Sequence, residues 1–177
     1  MTDSMLAGIR ELELNTDEVA EIRLHLGEFE FATCALPKPT TRLEVKFSVT
    51  HLAAMAALGR STMVIDDTVA VDPAVIALRD KVTVRDDGTS GAPTVVEVIL
   101  NDGSRLTTAH DVNTPERDLP LQRRRLEQKF RTITAGHLGA ERAEAVIAAI
   151  EMPAAALDVR ALTRVTGQAL SQHGEPR

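Results

Sequence analysis

The sequence contains no tryptophan, no tyrosine and only four phenylalanines in 177 residues. A core made from it must be packed mainly by Val, Ile, Leu and Ala. It also offers few rings for unstacked bases to lie on, which single-stranded nucleic-acid binders require. Cationic excess is missing too: the formal net charge is −6, whereas a surface that tracks phosphates needs clustered positive charge. Nucleic acid is therefore not an expected partner. Cys34 is the single cysteine, which excludes an internal disulfide and a cysteine-based zinc site. An unstapled chain of this kind suits a reducing compartment. No apolar run approaches the roughly 20 residues needed to cross a bilayer. Met1-Thr2-Asp3-Ser4 lacks the basic flank and apolar stretch of a secretory leader. The expectation is a cytoplasmic protein with no membrane partner.

The familiar catalytic signatures are also missing. There is no phosphate-binding G-x-x-x-x-G-K-[ST], no dinucleotide G-x-G-x-x-G, no H-E-x-x-H and no G-x-S-x-G. His25, His51, His110, His137 and His173 show no metal-ligand spacing. Neither a metal nor a cofactor is expected.

What is present reads as α+β. The length fits one domain, expected over residues 1–172 with 173–177 as a frayed tail. Residues 5–13 suggest a helix. From Val19 to Leu26 the chain alternates, with Ala20, Ile22, Leu24 and Leu26 on one side, as in a half-buried strand. Pro37 and Pro39 mark a loop. Residues 46–58 are helical in pattern, with every residue from Leu52 to Leu58 apolar. A helix apolar all round is buried, and Gly59 fits its C-terminal cap. Asp72-Pro73 opens another helix. Strands are expected at 81–85, 94–100 and 104–110, the last two joined by Asn101-Asp102-Gly103, a strong hairpin signal. Beyond residue 111 the pattern turns helical. Leu126, Phe130 and Ile133 form one stripe, residues 140–150 a second helix, and Asp158 can cap a third with inner face Val159, Leu162, Val165 and Ala169. Strands and helices do not alternate, so a mostly antiparallel sheet with helices packed on one face is expected, including the buried Ala-rich helix.

Chemistry concentrates in Lys46-Phe47-Ser48-Val49-Thr50-His51. With Ser48 as N-cap, free amides, the positive end of the helix dipole and the Lys46 ammonium meet at one end of a buried helix. That set binds carboxylate or phosphate, and His51 one turn later could carry a proton. The alternative is purely structural. Thr41-Arg42-Leu43-Glu44 also reads as a capping box, which would start the helix earlier and leave Lys46 as an ordinary surface side chain. His51, between Phe47 and Met55 at four-residue spacing, would then be a hydrogen-bonded core histidine. Arg123-Arg124-Arg125 reads as a solvated helix face, His110-Asp111 as a loop pair able to reach a cleft, and Cys34 has no neighbouring cation to activate it.

Four stretches resemble the C-terminal domain of the MmgE/PrpD family. Asp17 to Ile22 looks like its entry into the first strand. Pro39-Thr40-Thr41-Arg42-Leu43-Glu44-Val45-Lys46-Phe47-Ser48 is similar to its P-x-(x)-E-A-K-F-S segment before an Ala-rich helix. Val95 to Gly103 resembles its V-x-V-x-x-x-D-G hairpin, and Leu126-Glu127-Gln128-Lys129-Phe130 its late L-x-x-K-F helix. The resemblance covers about residues 17 to 150. Family members often carry Pro-Tyr where this chain has Thr50-His51, and proline there suits a helix's first turn, favouring Ser48 as the cap. A Gly-rich loop usual before the late helix is replaced by Asp111-Val112-Asn113-Thr114-Pro115.

The resemblance implies cofactor-independent chemistry on small di- and tricarboxylates: dehydration, decarboxylation or epimerisation. It implies Lys46 and Ser48 as substrate-binding residues and His51 as a catalytic candidate. The family's large helical N-terminal domain has no counterpart in the sequence, so a separate helical partner or a homodimer is expected to complete the site. The alternative is a non-catalytic module that binds a metabolite or dimerises.

Overall fold

A computed structural model of the chain describes residues 2–66, 68–86, 91, 93–111, 114–115, 117–151 and 159–167. Its contacts divide it into two compact units, Met1–Pro115 and Glu116–Arg177.

The first unit is a four-stranded sheet with helices. Its elements are α1 (Thr2–Glu11), β1 (Val19–Leu26), α2 (Glu28–Cys34), α3 (Arg42–Val45), α4 (Val49–Ala57), α5 (Pro73–Arg79), β2 (Val82–Asp86), β3 (Thr94–Leu100) and β4 (Arg105–His110). The strand order is β2-β1-β3-β4. β1 pairs antiparallel with β3, and β3 with β4, but β1 and β2 run parallel. The α+β class and the antiparallel majority hold, and the sheet is mixed. The connection allows the parallel pair: four helices lie between β1 and β2, and parallel neighbours need a long crossover of this kind.

Alternation along the strands decides what faces what. Ile22, Leu24, Val96 and Val98 are fully buried, and helices cover that face. α4 packs on α1, α5 and β2, while α1 also meets β3 and β4. Side chains on the opposite face form an ionic ladder. Arg23 bonds Glu21 at 2.7 Å and Glu97 at 3.3 Å, and Arg105 reaches Glu97 at 2.8 Å. Across β2, the Thr83 hydroxyl donates to Glu21 at 2.8 Å. The Arg23 guanidinium beside it, followed by that hydroxyl, holds the Glu21 carboxyl below the usual range. One face is a core and the other a charge ladder, so the packing is one-sided.

Two close fits set the geometry. The hairpin turns through Gly103 at φ +85°, where a left-handed residue after a tight turn favours glycine. Its Asn101 amide donates to the Glu18 carbonyl at 2.7 Å, tying the turn to the start of β1. In α1, Gly8 backs onto the His110 ring: a methyl group added at Gly8 would come within 2.7 Å of the imidazole Cδ2.

The second unit contains α6 (Leu119–Thr134), α7 (Ala140–Ile150) and α8 (Val159–Gly167). Asp118 caps α6 by accepting the Leu121 amide at 2.9 Å. α7 buries Ala143 and Val146 and packs on both neighbours. Of the stripe expected on α6, only Phe130 is half-buried, while Leu126 and Ile133 are 61% and 44% exposed. On α8, Leu162 and Val165 are half-buried and Val159 is exposed. Asp158, Ala169 and the expected tail 173–177 lie outside the described residues.

Candidate functional site

The segment from Thr40 to Ala57 forms two helices, so the two starts legible in the sequence both exist. Thr41 opens α3: its hydroxyl accepts the Glu44 amide at 3.3 Å, and the Glu44 carboxylate reaches back to the Thr40 and Thr41 amides at 2.6 and 3.2 Å. That completes a capping box. The Thr40 amide, with its hydroxyl next, keeps the Glu44 carboxyl below its ordinary pKa. α3 lasts four residues and ends at Lys46.

Two residues later Ser48 opens α4. Its hydroxyl accepts the His51 amide at 3.3 Å and lies 3.1 Å from the Thr50 hydroxyl. Ser48 also bridges Ala35 in antiparallel fashion, which sets the Val49 amide against the Cys34 carbonyl, while the Thr50 amide finds no acceptor among the described residues. That donor, with the dipole behind it, makes this end electropositive. At the other end Gly59 adopts φ +66°. Its amide bonds the Ala56 carbonyl at 3.0 Å, and Arg60's bonds that of Met55 at 2.8 Å, closing the helix as expected.

Burial separates the three candidates. Ser48 and His51 are 0% exposed, enclosed with the apolar run of α4. Lys46 is exposed, and no acid among the described residues pairs with it. Among its neighbours along the chain, Leu43 is 64% and Phe47 51% exposed. Leu36 is also exposed and donates its amide to the Phe47 carbonyl at 3.4 Å. A crevice of about 380 Å³ flanks α4, but at its far end, beside Arg10, Glu13 and Gly59.

His51 Nε2 lies 3.0 Å from the Val69 carbonyl, in the 3-10 turn Val69–Val71. A carbonyl only accepts, so Nε2 carries the proton and donates. Nδ1 is buried with no partner among the described residues. Burial lowers the pKa of the ring most, the bond to Val69 opposes that, and the Arg79 guanidinium lowers it further against Asp72. The ring is neutral at pH 7, in the position of a hydrogen-bonded core histidine.

The remaining candidates stand apart. Arg123 pairs with Glu127 and Glu151 on an exposed face of α6. His110 sits behind Gly8, 3.2 Å from the Thr108 hydroxyl. Cys34 is half-buried, 3.6 Å from the Thr33 hydroxyl. Among the described residues no three His, Cys, Asp or Glu side chains converge as metal ligands, and no helix is long and apolar enough to cross a membrane. Thr50 and the Val69 carbonyl escaped the sequence reading. Threonine at a helix's second position is common, and a carbonyl contact leaves no mark on residue identity.

A search among curated proteins finds no match to the chain. A family model, that of the MmgE/PrpD C-terminal domain, matches residues 1–152. That match takes in the whole of the first unit, including the Lys46-Phe47-Ser48 joint and the hairpin at Gly103. The chain belongs to the MmgE/PrpD family, through its C-terminal domain.

Proposed function

We propose that the chain is the carboxylate-binding component of an enzyme that dehydrates, decarboxylates or epimerises a small di- or tricarboxylate, and that a helical partner completes it. The observation that carries this reading is the joint between α3 and α4. Lys46, exposed and with no acid paired to it among the described residues, stands two residues ahead of Ser48, the cap of a helix whose Thr50 amide has no acceptor among them. Each of the three reactions moves a proton beside a carboxylate while negative charge builds, and preorganised cations and N–H donors stabilise such charge. Lys46 is the direct contact. Ser48 acts by fixing where α4 begins.

His51 has a narrower place in this reading. A proton carrier must come within hydrogen-bond reach of substrate, and a ring 0% exposed under Val69 does so only if the 3-10 turn is displaced. The principal base is assigned to the partner. Support for a partner here comes from Leu43, Phe47 and Leu36, which are exposed in the segments next to Lys46. Exposed apolar side chains grouped together are a common mark of an interaction site.

A second reading, a non-catalytic module that binds a metabolite or dimerises, is favoured by the enclosure of Ser48 and His51. Calorimetry with citrate, repeated on Lys46→Ala, tests carboxylate binding. Turnover assays with and without a cognate helical domain test catalysis. Binding that needs Lys46, with turnover only in the mixture, supports the first reading. Binding without turnover under any combination supports the second.

A further inference from the structure

The 3-10 turn Val69–Val71 is clasped at one residue from two sides. The Val69 amide donates to the Asp66 carboxylate at 3.2 Å, and the Val69 carbonyl accepts from His51 Nε2 at 3.0 Å. Asp66 also takes the Thr68 amide at 2.9 Å and its hydroxyl at 2.6 Å. Packing adds buried Ala70 and half-buried Val69, whereas Val71 is exposed. The turn's own amide bonds, Val71 to Thr68 and Asp72 to Val69, are long at 3.2 and 3.4 Å. A segment held by so few bonds opens at a lower free energy than a core strand.

His51 is the clasp that responds to pH. With the turn closed the ring is fully buried, and a proton on Nδ1 would find no acceptor among the described residues. An imidazolium donates from both nitrogens, so the closed turn disfavours the charged ring. Of the elements packed on α4, α5 with its cap presents charge to the ring among the described residues: Arg79 opposes the imidazolium and Asp72 favours it. Opening passes the ring to water, where it titrates at about 6.5. Acid therefore favours the open turn. The Asp66 clasp is silent in this range, because the Thr68 hydroxyl and amide hold its carboxyl below its ordinary pKa.

We propose that Val69–Val71 is a proton-sensitive lid over His51, which lifts from the start of α4 as the ring takes up a second proton, while the sheet stays folded. The lid governs access to His51 and not the contact at Lys46, so this proposal and the carboxylate-site reading can each fail alone.

Native-state hydrogen exchange of the full chain, read by NMR at pH 7.5 and 5.5 over a series of low urea concentrations, tests it. After correction for intrinsic exchange rates, the Val69, Val71 and Asp72 amides should open with no dependence on urea, unlike those of β1 and β3. Their opening constant should rise severalfold from pH 7.5 to 5.5, bounded at about tenfold by protonation of a solvated imidazole. In His51→Gln, which keeps a side-chain donor but does not titrate, that rise should vanish. Asp66→Ala, at an exposed position, should raise opening at both pH values and leave their ratio intact. Turn amides that share the urea slope of the strands, or an opening constant equal at the two pH values, overturn the proposal. So does a pH dependence that survives in His51→Gln.

Discussion

Lys46 and Ser48 stand two residues apart in the chain, yet the first is exposed and unpaired among the described residues while the second is 0% exposed. The one ends α3 and the other begins α4. This division makes their variants behave oppositely.

Lys46→Ala removes a surface cation with no partner to strand, so stability should change by less than about 0.5 kcal/mol. Citrate binding should weaken at least tenfold. Urea denaturation checks the first and calorimetry the second. A clear loss of stability would show that the ammonium already serves the fold.

Ser48→Ala removes the cap of α4 and strands the buried Thr50 hydroxyl that faces it. The loss should be about 1–2 kcal/mol, read as a lower urea midpoint at unchanged slope. Ser48→Thr, which keeps the acceptor, should recover most of it.

Gly8→Ala sets a favourable helix propensity of about 1 kcal/mol against a methyl overlapping a ring that Thr108 holds at 3.2 Å. Overpacking of this kind costs about 1–3 kcal/mol, so the single variant should be destabilised. In a His110→Ala background the sign should reverse, and Ala at position 8 should stabilise. A double-mutant cycle by urea denaturation measures the coupling.

His51 makes stability depend on pH. Its folded pKa is depressed, chiefly by burial. Below the unfolded value of about 6.5 the unfolded chain therefore binds a proton that the folded chain refuses. Stability is fully present above that value and falls as pH drops through it toward the folded pKa. Urea midpoints at pH 7.5 and 5.5 should differ, and His51→Asn should shrink that difference. An unchanged difference in the variant would assign the effect to other groups.

Much of the fold was legible because its signals are local. Asp72-Pro73 caps α5 as expected, its carboxylate accepting the Ala74 amide at 2.9 Å. Asn101-Asp102-Gly103 makes its turn because Gly103 takes the left-handed conformation. The parallel pairing of β1 with β2 was not legible, since it depends on how four intervening helices return the chain. α2 was missed as well: residues 28–34 hold both acids and two phenylalanines, without a stripe that favours one face. Within the candidate site, the capping box at Thr41 and the cap at Ser48 could be read but burial could not. Thr41 and Ser48 looked like rivals for one helix start, and only the two-residue joint at Lys46-Phe47 shows that each has its own. The stripe of Leu126, Phe130 and Ile133 on α6 was visible at helical spacing, but which of its members are covered was not, and Leu126 lies open.

The most direct test is steady-state turnover of small di- and tricarboxylates by this chain mixed with a cognate helical domain. Turnover should appear only in the mixture and fall about 10²–10³-fold with Lys46→Ala. A mixture that binds yet turns over none of these acids, or one that works equally well without the lysine, contradicts the account.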